Sequence, residues 1–122
     1  MVVEAINRYE TLFCNTAEQT LSLLADVGRD NVGVLLDVFH MNIEEVSIAD
    51  AIRMTADRLH YFHIVDSNRW APGSGHVDYS GIVAALDDAG YAGWVSAEIL
   101  PRPDDYAAAL QARAFVTGLG AG

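Results

Sequence analysis

The order of apolar and amphipathic segments predicts a parallel α/β fold of four consecutive βα units. Short apolar runs recur at residues 2–6, 32–36, 61–65 and 94–99, and a longer stretch suited to a helix follows each one. Each run also carries or ends on a single ionisable residue: Glu4, Asp37, His63 or Glu98. Repeating βα units imply a parallel sheet with right-handed crossovers. A closed eight-unit barrel takes roughly 250 residues, whereas this chain has 122. An open doubly wound sheet and half of a βα barrel both satisfy the order, as one compact domain over residues 1–122.

Residues 2–6 are β-prone. Asn15 or Thr16 is the expected cap of a helix extending to about Val27, with Leu21, Leu23, Leu24 and Val27 on its apolar face and Gly28 as its stop. Residues 32–36 form a continuous apolar run ending in Asp37, as a strand buried on both faces reads. Residues 39–45 are expected to be a loop. Ser47, with Asp50 at capping-box spacing, opens a helix to about Leu59. Residues 61–65 are the third strand, followed by the Gly-, Pro- and Ser-rich loop SNRWAPGSGHVD. Asp78 or Ser80 caps a helix through Ala89, ended by Gly90. Residues 94–99 are the fourth strand. Pro103 and Asp104 start an alanine-rich helix to about Val116, and the tail 118–122 is expected to fray.

Composition narrows the function. Hydrophobic residues make up 52% and charged residues 20%, which excludes a disordered tail. Seven basic against 17 acidic residues give a net charge of −10, so neither a nucleic acid nor an anionic membrane is an expected partner. A single cysteine, Cys14, excludes an internal disulfide, and no apolar run approaches membrane-span length, so a cytoplasmic location is expected. No nucleophile motif is present, and the PGSGH segment lacks the lysine of a phosphate-binding loop.

Sites in parallel βα proteins form at the carboxyl ends of the strands. Taken singly, Glu4, Asp37 or Glu98 reads as a solvated loop-facing acid, and His63 as a hydrogen-bonded core residue. One in each of four consecutive strands is a different matter, because burying four such groups without partners is costly. A shared divalent cation relieves that cost, and three oxygen donors with one nitrogen suit Mn²⁺, Co²⁺ or Mg²⁺. The following loops place Glu10, His40 and Arg69 towards the same end, suited to the hydroxyls and carbonyl of a polyol. Arg8 is expected to pair with a neighbouring acid.

Four segments carry a resemblance to a known family: NRYE (7–10), LDVFHMNIEE (36–45), HIVDSNRWAPGSGHVDY (63–79) and GWVSAEI (93–99). Together they resemble the xylose-isomerase-like βα barrels, in the ketose 3-epimerase branch acting on D-tagatose and D-psicose. The resemblance implies the C-terminal half of a (β/α)8 TIM barrel. It implies Glu4, Asp37, His63 and Glu98 as metal ligands, Mn²⁺ as the first choice of metal, and Glu4 and Glu98 as the acid/base pair. It implies Glu10, His40 and Arg69 as substrate contacts. The implied activity is epimerisation of a ketose at C3, through proton abstraction and a metal-stabilised enediolate.

The resemblance matches only the last four of the family's eight strands. The chain is therefore expected to be a fragment of a longer sugar isomerase, to pair with a second copy as a homo-oligomer, or to complement a missing N-terminal half-barrel. A catalytically incomplete half-barrel that binds metal or a partner subunit is the alternative function.

Overall fold

The computed structural model describes residues 1–119. Four parallel strands, β1 (Val2–Glu4), β2 (Gly33–Asp37), β3 (Leu59–Ile64) and β4 (Trp94–Ala97), lie in the order β1-β2-β3-β4. This order decides between the two expected architectures. A doubly wound sheet reverses its strand order at a switch point and carries helices on both faces. Strands added in one direction through right-handed crossovers place every helix on the same face, as in a barrel.

Helices α1 (Ala17–Val27), α3 (Ile48–Thr55) and α4 (Tyr79–Asp88) pack side by side on that face, and α5 (Asp105–Leu119) joins α4 through an edge-to-face pair of Phe115 and Tyr79. The core lies between helices and sheet, around Leu24, Val34, Leu36, Ile52, Phe62, Ile64 and Ile82. Strand side chains alternate between faces. Val34, Leu36, Phe62 and Ile64 therefore meet the helices, while Leu35, Asp37, Tyr61, His63 and Trp94 face the other way. In a closed barrel that second face is the packed interior. Here Trp94 remains 77% exposed on it.

The caps settle choices that the sequence leaves open. Thr16, not Asn15, caps α1 by accepting from the Gln19 N–H, and Gly28 ends the helix in the left-handed conformation (φ 62°). Ser47 caps α3, which ends at Thr55, and a 3₁₀ turn over Ala56–Arg58 leads into β3. Asp78, not Ser80, caps α4. Helix α5 takes in Gly118 and Leu119, so the tail expected to fray is partly helical; residues 120–122 lie outside the described residues.

One expectation is corrected. Residues 39–45 are not a loop, because Val38–Glu44 forms the short helix α2 directly after β2. The cause is Asp37, whose Oδ1 accepts from the Phe39 N–H (2.8 Å) and the His40 N–H (3.3 Å). A residue read as a strand-end acid is also a helix cap.

The loop between β3 and α4 is built around Asp66, which is 1% exposed. Its Oδ1 accepts from the Ser67 N–H (2.8 Å) and the Val77 N–H (3.2 Å), and its Oδ2 from the Gly73 N–H (2.8 Å). Any Cβ at Gly75 would collide with this carboxylate. Burial by itself raises the Asp66 carboxyl, but the N–H groups of Gly75, Ser67, Val77 and Gly73 outweigh it and hold the group below its ordinary value. A depressed folded value stabilises the fold above the unfolded carboxylate range, about pH 3.9, and that contribution is lost as the pH falls through the folded value. Asp66→Ala should therefore lower unfolding free energy at neutral pH by about 2–3 kcal/mol. The gap between urea melts of variant and wild type should start to narrow below about pH 4 and close once the pH has passed below the depressed folded value. A gap that persists in acid would show that the carboxylate charge is not what holds the loop.

Candidate metal centre and its surroundings

Strand register delivers four ionisable side chains to one corner. Glu4 is the last residue of β1, Asp37 the last of β2, His63 lies one residue before the end of β3, and Glu98 follows β4 directly. The pairings Glu4 with Leu35, Asp37 with His63, and His63 with Ser96 keep all four on the helix-free face by period two. One ligand-type atom from each of Glu4, Asp37, His63 and Glu98 lies within 4.8 Å of the others.

The hydrogen bonds of this corner leave work for a cation. Asp37 has Oδ1 engaged as the cap of α2, while Oδ2 lies 3.3 Å from His63 Nδ1. Glu98 Oε2 lies 3.1 Å from the same nitrogen. Glu4 Oε1 is buried and has no hydrogen-bond partner, and its nearest basic neighbour, His40 Nε2, is 3.8 Å away.

Burial, then the charges of Glu98 and Asp37, push the Glu4 carboxyl above its usual range. The hydrogen bond that Asp37 accepts from the His63 imidazole raises that imidazole against the opposing effect of burial, with the charges of Asp37, Glu98 and Glu4 adding to it. Both shifts have the crowding of negative charge in this corner among their causes. An orphaned buried carboxylate oxygen within a set of three carboxylates and one imidazole fits a hard or borderline divalent ion.

The residues expected to meet a polyol lie beside this corner and are themselves connected. Arg69 Nη1 donates to Glu10 Oε1 (2.9 Å), and the Arg69 guanidinium stacks over the Phe39 ring at 4.9 Å. Asn7 Nδ2 donates to Glu10 Oε1 (3.0 Å) and lies 2.8 Å from His40 Nδ1. The Asn7 hydrogen bond, with Arg69 adding to it, lowers the Glu10 carboxyl and keeps it ionised. Arg69 itself sits in the left-handed region (φ 63°), where a non-glycine residue costs about 1–2 kcal/mol. Its backbone is fixed by the bond from its N–H to the Asp66 carbonyl and by its own carbonyl, which accepts from the Leu100 N–H.

All seven expected site residues thus fall into two touching groups: Glu4, Asp37, His63 and Glu98 in one, and Glu10, His40 and Arg69 in the other. Arg8 pairs with Glu44 through two bonds of 2.9 and 2.8 Å, as expected, and takes no part in the site. Sequence reasoning missed Asn7 and Asp66. A buried asparagine in a polar loop and an acid in a Gly-rich loop carry no local mark of their burial. The only signal was their place beside strand ends.

Among the described residues, no helix is long and apolar enough to cross a membrane. The xylose isomerase-like TIM barrel family model matches residues 1–115. A D-psicose 3-epimerase of Agrobacterium fabrum is 45% identical over 98 residues, covering 80% of this chain and 34% of that protein. An L-ribulose 3-epimerase of Mesorhizobium japonicum is 44% identical over 96 residues, covering 79% and 32%. The crystal structure of a D-psicose 3-epimerase from Clostridium cellulolyticum with D-tagatose superposes with a TM-score of 0.89 at 33% identity, over 97% of this chain and 47% of that one. The chain thus spans about a third of the length of the curated relatives it matches. With four in-order βα units, a helix-free inner face and this match along nearly its whole length, the chain belongs to the xylose isomerase-like TIM-barrel family, as the C-terminal half of the eight-unit barrel.

Proposed function

We propose that this chain, within a closed barrel, is the metal-binding half of a sugar epimerase that inverts a ketose at C3. The observation that carries this reading is the convergence of Glu4, Asp37, His63 and Glu98, with Glu4 Oε1 buried and unpartnered. The 3-epimerase relatives support the choice of reaction. The edges of β1 and β4 would be closed by the N-terminal half of a longer sugar isomerase of which this chain is a fragment, by a second copy, or by a separately supplied N-terminal half.

Glu4, Asp37, His63 and Glu98 would hold a divalent ion, Mn²⁺ before Co²⁺ or Mg²⁺. When bound, the ion supplies Lewis-acid stabilisation of negative charge beside a ketone carbonyl. The remaining chemistry is proton transfer at a weak carbon acid. Glu4 and Glu98 approach from the two outer strands of the sheet and suit opposite faces of C3. One removes the proton and the other returns a proton to the opposite face, with acid and base exchanged in the reverse direction. Asp37 has one oxygen committed to capping α2, which suits it to holding rather than proton transfer. Arg69 and Glu10, already paired, offer a donor and an acceptor to sugar hydroxyls. Cytoplasmic action on free sugar completes the proposal.

Calorimetric titration with Mn²⁺ should saturate at one ion per chain. Asp37→Asn should weaken binding by more than about 100-fold, since even outer partners of a ligand set are worth roughly 10–100-fold. The raised values of Glu4 and His63 set the sign of the pH dependence. Below those values a cation must displace protons, so affinity should rise with pH through them and level off above.

Incubation of the closed barrel, as the self-paired chain or the chain joined by an N-terminal half, and Mn²⁺ with D-psicose and D-tagatose, beside a chelator control, should yield C3 epimers. Glu4→Gln or Glu98→Gln should cut turnover by about 100-fold or more. Full turnover in Glu98→Gln would refute the acid/base pair. Tight metal binding without epimer would favour the incomplete half-barrel that binds metal or a partner.

A further inference from the structure

We propose that Asn7 is a positioning residue that fixes His40 as the tautomer protonated on Nε2, making that N–H a donor to a substrate oxygen beside Glu4. Both side chains are buried, Asn7 at 1% and His40 at 2% exposure, so water does not choose the tautomer. Two Asn7 groups converge on His40 Nδ1: the backbone N–H at 3.4 Å and the side-chain amide nitrogen at 2.8 Å. The backbone N–H can only donate.

The amide orientation is fixed from two sides. Asn7 Oδ1 accepts from the Tyr9 N–H (2.9 Å), and Asn7 Nδ2 donates to Glu10 Oε1 (3.0 Å). A flipped amide would set its oxygen against the Glu10 carboxylate and its NH₂ against an N–H. With two donors aimed at it, Nδ1 must present its lone pair, and a neutral imidazole then carries its proton on Nε2.

The Nε2–H is left uncommitted. Glu4 Oε1 is 3.8 Å away, beyond hydrogen-bond range, and has no other partner. A donor and an acceptor therefore face each other across a gap that an oxygen-bearing ligand can bridge. The opposite tautomer would turn a lone pair towards the Glu4 carboxylate and repel any carbonyl placed there. Asn7 thus selects for a ligand with an accepting oxygen at this position, such as a ketone carbonyl or a hydroxyl lone pair. Through Glu10 it also ties that choice to Arg69. Only the identity of that oxygen rests on the epimerase reading.

The test is long-range proton–nitrogen correlation NMR on the ¹⁵N-labelled chain, where the imidazole nitrogen shifts report each tautomer and His40 is assigned from the signals lost in His40→Gln. The neutral imidazole of wild-type His40 should show a bare Nδ1 and a protonated Nε2. Asn7→Asp retains an oxygen for the Tyr9 N–H but loses the side-chain donor, and should shift His40 towards the Nδ1-protonated form. A neutral wild-type His40 that carries its proton on Nδ1 would overturn the proposal whether or not the variant folds. An Asn7→Asp chain that folds and keeps the Nε2–H tautomer would overturn it too. These readouts need neither sugar nor turnover, so failure to epimerise ketoses would sink the proposed function and leave this assignment standing.

Discussion

Like charges crowded into one corner cannot stand without compensation, and this chain crowds three carboxylates into a sphere of contacts 4.8 Å across. At an effective dielectric of about 20, two such charges repel by roughly 3–4 kcal/mol, less where water screens them. Against a whole-domain stability of about 5–15 kcal/mol, that is too large to leave unopposed. The imidazole of His63 sits between Asp37 and Glu98, whose charges favour its protonated form. The rest of the architecture serves to hold the four groups where they would not otherwise stay. Consecutive strand order puts the helices on one face and frees the other, and period-two alternation points every acid the same way.

A second layer makes the corner rigid. The chain of contacts from Arg69 through Glu10 and Asn7 to His40 runs at 2.9, 3.0 and 2.8 Å. Arg69 reaches it only because the loop around Asp66 holds its backbone in a left-handed conformation. Strain there is sustained by a buried carboxylate accepting several backbone N–H groups, so the placement of the Arg69 side chain against Glu10 depends on a carboxylate that bonds to neither side chain. Such division of labour is usual for loops that carry function on a rigid scaffold.

Much of this was legible in the sequence, for physical reasons. The four strands showed as apolar runs because a parallel sheet is covered on one face and faces a barrel interior on the other. Ligand-type residues stood out because a charge inside an apolar run needs a reason. What stayed hidden depended on side chains doing two things at once. Helix α2 was missed because Asp37 looked like a strand-end acid, and nothing local says that its second oxygen caps a helix. Strand β4 is shorter than its apolar pattern and ends at Ala97. Asn7 and Asp66 were invisible because burial of a polar loop residue is decided by elements far along the chain. The apolar pattern alone left barrel and doubly wound sheet open; the resemblance of the four motifs chose the half-barrel, and the strand order bears it out.

Asp37 offers one more lesson. One of its oxygens starts helix α2 and the other looks into the charged corner. A seven-residue helix has little stability of its own. Its first turn, which carries His40, therefore shares a free-energy term with whatever occupies the corner. Linkage is reciprocal: an occupant that favours the ionised Asp37 tightens the turn, and fraying of the turn loosens the occupant by the same amount. The amide protons of Phe39 and His40 thus become a built-in gauge, their exchange with solvent slowing as the corner fills.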